Sequence, residues 1–209
     1  MPPFDQSTYQ VRVEWGVAGL ARLAPADIVV VVDVLRFSTT VIDAVERGDD
    51  YPLDAAAHAI SINGAPVAEA AADGGALVLL GGLRNASAVA AAVLAEQERR
   101  GARTSITVIA AGELSPGAGT LRFAVEDQLG AGAIVEALGA LGIDHTSPDA
   151  AVAAESFRAL RRAVKHLLTA SGSGLELIGR GLRDDVLAAA AVDAASAVPV
   201  LRDGVFRAF

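Results

Sequence analysis

Apolar residues gather first in short unbroken runs and then at helical spacing, and this alternation sets the expected fold. Val11–Trp15 alternates in polarity and predicts a short strand. Asp27–Asp33 (DIVVVVD) sets four consecutive valines between two acids. Such a run fits a central strand of a parallel sheet, buried on both faces. After Arg36 the spacing turns helical: Val41, Ile42 and Val45 fall on one side, Ser38 or Thr39 can cap, and Gly48 stops the helix. Asp54–Ala72 is Ala-rich, with Asn63-Gly64 as a turn before a short helix. Ala76–Leu80 and Ser105–Ala110 predict two more buried strands, ended by Gly81-Gly82 and Gly112. Between them Asn85–Arg100 predicts a helix with an apolar Ala/Val face, suited to a core or to a homodimer interface. A Gly/Pro/Ser loop spans Gly112–Thr120, and helical spacing resumes over Phe123–Leu138, Pro148–Leu168 and Leu175–Ala190. Asp203-Gly204 within Val198–Phe209 signals a hairpin. The alternation predicts a three-layer α/β/α fold with a mostly parallel sheet and a largely helical C-terminal part. It forms one domain over residues 1–209, in which 148–190 either covers a face or makes a helical subdomain.

Charge and composition narrow the partners. The 209 residues carry 17 Lys+Arg against 25 Asp+Glu, a formal net charge of -8, with only 4% aromatics. A nucleic-acid partner is not expected, since phosphate backbones need a basic field and single strands need stacking platforms. The absence of cysteine removes disulfides, zinc–thiolate sites and thiol nucleophiles. Charges interrupt every apolar run short of a membrane span, and the N-terminal residues lack a signal pattern, so a soluble cytoplasmic protein with no membrane partner is expected. Lys165 is the only lysine. An anion site here must therefore use Arg, hydroxyls or backbone N–H groups.

In an open parallel sheet, ligands bind beyond the carboxyl ends of the strands. The first buried strand ends in Asp33, followed by Arg36 and by Ser38, Thr39 and Thr40. A carboxylate there can hold a divalent cation or activate water, and a guanidinium fork with hydroxyls at a helix start suits an oxyanion. The same residues also suit a capped loop with an Asp–Arg pair. The second strand leads to Gly81-Gly82-Leu83-Arg84-Asn85-Ala86-Ser87, where Asn85 or Ser87 can cap the helix or meet an anion. The third leads through Gly112-Glu113 to the loop, after which Glu126-Asp127 opens a helix. Those two acids either complement the helix dipole or complete a metal or water site with Asp33. Asp184-Asp185 carries the same ambiguity. His58, His145 and His166 are scattered, no G-x-S-x-G elbow occurs, and G-x-G-x-x-G spacing is absent after every strand. A histidine metal site, a serine hydrolase and a dinucleotide-binding module are thereby disfavoured.

Asp33–Thr40 (DVLRFSTT), Gly81–Ala90 (GGLRNASAVA), Glu126-Asp127 with Ala131-Gly132-Ala133-Ile134, and Ser171…Gly174…Leu177…Gly181…Asp184-Asp185…Asp193…Val198-Pro199 occur in that order. Together they resemble the 2-phosphosulfolactate phosphatase (ComB-like) family from about Val11 to Phe209. The resemblance implies a three-layer α/β/α fold and a Mg²⁺-dependent hydrolase that removes phosphate from 2-phosphosulfolactate, a step towards coenzyme M. On this reading Asp33, Arg36, Glu126 and Asp127 are the catalytic candidates, and Asp33, Glu126 and Asp127 the metal ligands. Ser38, Thr39, Thr40, Asn63, Gly64, Arg84, Asn85 and Ser87 bind a small anionic phosphorylated substrate. The chain departs from the family at Ser61–Ala65, which keeps Asn63-Gly64 but loses hydroxyls, and in lacking a segment ahead of it. Phe37 and Arg84 replace a small and an apolar residue. These departures leave open an impaired relative that binds a phosphorylated or sulfonated acid without hydrolysing it.

Overall fold

The computed structural model describes residues 3–114 and 119–209. The first part runs β1 (Val11–Trp15), α1 (Gly16–Arg22), β2 (Ile28–Val32), α2 (Phe37–Glu46), β3 (Tyr51–Pro52), α3 (Ala55–Ile60) and α4 (Gly64–Asp73). The middle adds β4 (Leu77–Gly81), α5 (Ala86–Arg100), β5 (Ile106–Ala110), β6 (Glu113–Leu114), β7 (Leu121–Arg122) and α6 (Val125–Ala140). The last part comprises α7 (Pro148–Leu160), α8 (Val164–Ala170), α9 (Gly172–Gly179), α10 (Arg183–Ala189), β8 (Pro199–Arg202) and β9 (Val205–Ala208).

A seven-stranded sheet in the order β1-β5-β2-β4-β8-β9-β3 forms the middle layer. Its first four strands are parallel and β8, β9 and β3 add on antiparallel. The valine run explains why β2 lies inside. Successive side chains of a strand point to opposite faces. Ile28, Val30 and Val32 accordingly enter the core beneath α5, α6 and α7, while Val29 and Val31 enter the core beneath α2 and α4. Leu168, Leu177, Val186 and Ala189 belong to the first of these cores, so the C-terminal helices share it with the sheet. The three-layer α/β/α architecture with its mostly parallel sheet follows. Val89, Ala90 and Val93 of α5 are buried in the same core, so the Ala/Val face is consumed by packing. Among the described residues no helix is long and apolar enough to cross a membrane.

Several boundaries differ from the expected ones. Pro148–Leu168 is two helices, α7 and α8, joined by a 3-10 turn at Arg161–Ala163. Leu175–Ala190 is also divided, into α9 and α10. The start of α9 explains Ser171-Gly172-Ser173-Gly174: Ser171 Oγ accepts from the Gly174 N–H at 3.0 Å, and a Cβ on Gly174 would lie 1.8 Å from the Leu168 carbonyl oxygen. Only glycine lets α8 and α9 cross so closely. The edge strand β3 has two residues, one a proline, and offers no alternation to detect. The predicted Gly112–Thr120 loop contains β6, which pairs with β7, while residues 115–118 of it lie outside the described residues.

Candidate active site

Asp33 follows β2 directly at its carboxyl end and is 6% exposed. Its carbonyl accepts from the Ser38 N–H at 2.8 Å, and Oδ1 accepts from the Phe37 N–H at 3.3 Å. The first N–H groups of α2 are therefore closed by Asp33 itself. This corrects the expectation that Ser38 or Thr39 caps α2 and that its free N–H groups receive an anion. Ser38 Oγ instead accepts from the Asp33 N–H at 3.0 Å and donates to the Val31 carbonyl, and Thr39 Oγ1 donates to the Val34 carbonyl at 2.8 Å. Both hydroxyls tie the turn to the strand end. Thr40 lies on α2 outside the cavity described next.

Asp33 lines a cavity of about 390 Å³, a volume suited to a small ligand. Arg36, Ser61, Asn63, Glu113, Ser173 and Arg180 supply the other principal polar walls. Ser61 Oγ donates to Asp33 Oδ2 at 2.8 Å, and the Gly64 N–H donates to the same oxygen at 3.1 Å. Gly64 is required there, because a Cβ would sit 2.6 Å from that oxygen. Asn63 Oδ1 accepts from the Leu114 N–H at 3.2 Å, which joins the start of α4 to β6. Glu113 accepts from Ser173 Oγ at 3.2 Å, which joins β6 to α9. The cavity is thus walled by the turn after β2, by the start of β6, by the α3–α4 junction and by α9. Arg36, next to a cis Leu35–Arg36 peptide, pairs with Asp185 at 3.3 Å, and Arg180 pairs with Glu176 at 2.6 Å.

Burial raises the proton affinity of Asp33, against the Ser61, Phe37 and Gly64 donors that favour its ionised form; the Glu113 charge adds to the rise. Asp127 is pushed well above the usual carboxylate range by burial and then by the Asp33 and Glu126 charges. Its oxygens face the fold: Oδ1 accepts from the Val34 N–H at 2.8 Å and Oδ2 from the Gly112 N–H at 2.9 Å, clasping the ends of β2 and β5. Glu126 is 3% exposed, and its carboxylate makes no hydrogen bond or ion pair among the described residues. Neither Glu126 nor Asp127 lines the cavity. Glu113 stands in the position that sequence reasoning gave to them.

Among the described residues no group of three or more His, Asp or Glu is disposed to hold a metal ion. Magnesium, however, takes one or two carboxylates and keeps several waters. Asp33 and Glu113, which line one cavity, meet that requirement.

The sequence comparison bears on what such a cavity handles. A family model for 2-phosphosulpholactate phosphatase matches residues 54–204. The chain belongs to that family. The matched span of this phosphatase-family chain holds Ser61, Glu113, Asp127, Ser173 and Arg180 but starts after Asp33 and Arg36, whose assignment to the site rests on geometry.

The second-strand candidates lie elsewhere in this phosphatase-family fold. Arg84 pairs with Asp43 at 2.8 Å and donates to the Ala188 carbonyl at 2.9 Å, tying α2 to α10. Asn85 is fully buried; its Oδ1 accepts from the Gly82 N–H and its Nδ2 donates to the Leu80 and Ala197 carbonyls. Ser87 binds the Asp193 carboxylate through N–H and Oγ, both at 2.8 Å, beside a larger groove of about 670 Å³. None of the three reaches Asp33. Conversely, Ser61, Glu113, Ser173 and Arg180 were not anticipated. Ser61 is signalled by its spacing, since a hydroxyl three residues before Gly64 can accept from that N–H, and it does so at 2.8 Å. Glu113 obeys the same strand-end rule that singled out Asp33. Arg180 has no local signal; tertiary packing alone brings it to the cavity.

Proposed function

We propose that the protein is a Mg²⁺-dependent phosphatase of the cytoplasm that hydrolyses a small phosphorylated hydroxy acid such as 2-phosphosulfolactate. The observation that carries this reading is one cavity shared by Asp33, Glu113 and Arg36 in a member of a phosphatase family. Asp33 and Glu113 would hold the magnesium ion. When bound, it would neutralise phosphoryl charge and lower the pKa of water. With Asp33, Glu113 and Glu176 facing only Arg36 and Arg180, the lining has no positive excess, and a divalent cation supplies what a polyanionic substrate needs.

The chain's own side chains do the rest. The Arg36 guanidinium can release its exposed Asp185 partner and take phosphoryl oxygens with its planar fork. Ser61 and the Gly64 N–H hold Asp33 Oδ2, so the carboxyl group keeps one orientation towards the cavity. Water attacks phosphorus as the ester P–O bond breaks; a cavity carboxylate takes the proton of the attacking water and returns a proton to the leaving alkoxide oxygen. The alcohol and inorganic phosphate leave. In this reading Asp127 fixes the strand ends, and neither it nor Glu126 touches substrate.

A panel of small phosphorylated hydroxy acids, assayed for phosphate release with and without Mg²⁺, tests the proposal. Mg²⁺-dependent turnover of at least one member is expected. Ligand-induced thermal shifts without turnover at any Mg²⁺ concentration would identify a binding protein instead.

A further inference from the structure

We infer that Arg180 is a specificity-determining residue that reads the second anionic group of the substrate, the carboxylate or sulfonate that is not transferred. The inference rests on the phosphatase reading and deepens it. Arg84 and Asn85, two of the expected substrate-binding residues, are engaged with Asp43, Ala188, Gly82, Leu80 and Ala197, away from the cavity. Two guanidinium groups do line the cavity, and they come from distant parts of the chain. Arg36 lies in the turn that follows Asp33 and so stands with the hydrolytic acid. Arg180 arrives from the C-terminal end of α9, the helix that also contributes Ser173, Glu176 and Leu177 to the wall. One cavity with two planar forks, one beside the acid and one on the covering helix, matches a ligand carrying two anionic groups on a short skeleton.

The present partner of Arg180 makes an exchange inexpensive. Its pair with Glu176 is an i,i+4 contact between side chains 66% and 59% exposed. Such pairs contribute little in water, whereas a bidentate contact with a ligand carboxylate inside a cavity is stronger. Ligand binding would then transfer Arg180 from Glu176 to the ligand, and Glu176 is its competitor.

The test uses two substrates of nearly equal shape, 2-phospholactate and isopropyl phosphate, which differ in a carboxylate against a methyl group. The readout is the ratio of their kcat/KM values in the full-length protein with Mg²⁺. Arg180→Ala is expected to lower that ratio about tenfold or more, the scale of one charge-assisted contact. Arg180→Lys should recover part of it, and Glu176→Gln should raise it. A ratio that Arg180→Ala leaves as in the wild type, or an equal fall for both substrates, overturns the assignment. If the wild type hydrolyses neither compound, the phosphatase reading is decided separately by the wider panel of phosphorylated hydroxy acids. Calorimetric titration with the same pair then decides: a tenfold loss of preference for 2-phospholactate in Arg180→Ala sustains the inference, and no preference in the wild type overturns it.

Discussion

Asp33 and Asp127 stand on opposite sides of one strand end and make an instructive pair. Both are almost fully buried, both have proton affinities raised chiefly by burial, and the Asp33 charge adds to the rise at Asp127. Their lone pairs separate them. Asp127 accepts one good backbone N–H bond on each oxygen and joins β2 to β5, while Asp33 has one oxygen held by Ser61 and Gly64, the other met only by a 3.3 Å contact, and a cavity before it. Burial and a raised pKa alone do not distinguish a reacting acid from a structural one. An account of which hydrogen bonds each oxygen already makes does so.

After substitution of Asp33 itself, the largest expected effect that sharpens this contrast is at the second cavity acid. Glu113→Gln should reduce Mg²⁺-dependent turnover by about 10²–10³-fold with the thermal midpoint little moved, the scale of losing a positioned acid–base group. Comparison of phosphate release with a melting curve on the same sample checks it. Gly64→Ala follows. The new Cβ would lie 2.6 Å from Asp33 Oδ2 and 2.8 Å from Asp33 Cβ, so the acid must move. A displacement of that kind should cost about 10²-fold in rate.

On the other side of the strand, Asp127→Asn should act mainly on stability, by about 1–3 kcal/mol in urea denaturation. It leaves one of the Val34 and Gly112 N–H groups facing a donor. The pH dependence has a definite sign. A carboxyl group whose pKa is raised by folding stabilises fully below its unfolded value of 3.8, and the contribution is lost as pH rises through the folded value. The stability gap between wild type and Asp127→Asn should therefore be widest in acid and narrow as pH increases. Glu96, held at about 2 chiefly by its bond to Arg99, should behave oppositely. Its contribution is present above 4.5 and is lost as pH falls towards about 2. Glu96→Gln is the smallest effect, below about 1 kcal/mol at neutral pH, because the Arg99 partner is largely exposed.

The same division explains how much of the fold and of the site is legible in the sequence. The valine run, the three parallel strands that end near Val32, Gly81 and Ala110, and the Asp203-Gly204 hairpin follow from periodicity and turn chemistry, which act over a few residues. Asp33 and Arg36 followed from the rule that ligands gather at strand ends. The hydroxyls of Ser38 and Thr39 misled because a helix-start hydroxyl serves equally to cap, to bind an anion or to tie the strand end, and only the backbone path selects among these. Glu113, Ser173 and Arg180 reach the cavity through the β6–β7 pairing and the crossing of α8 and α9, which depend on contacts between distant segments.

The most direct measurement is made on Asp33→Asn, with phosphate release in Mg²⁺ and thermal unfolding recorded on one preparation. Loss of turnover by about 10³-fold or more, with the midpoint within about 4 °C of the wild type, is the predicted result. Turnover equal to that of the wild type, from a protein that remains folded, would contradict the account.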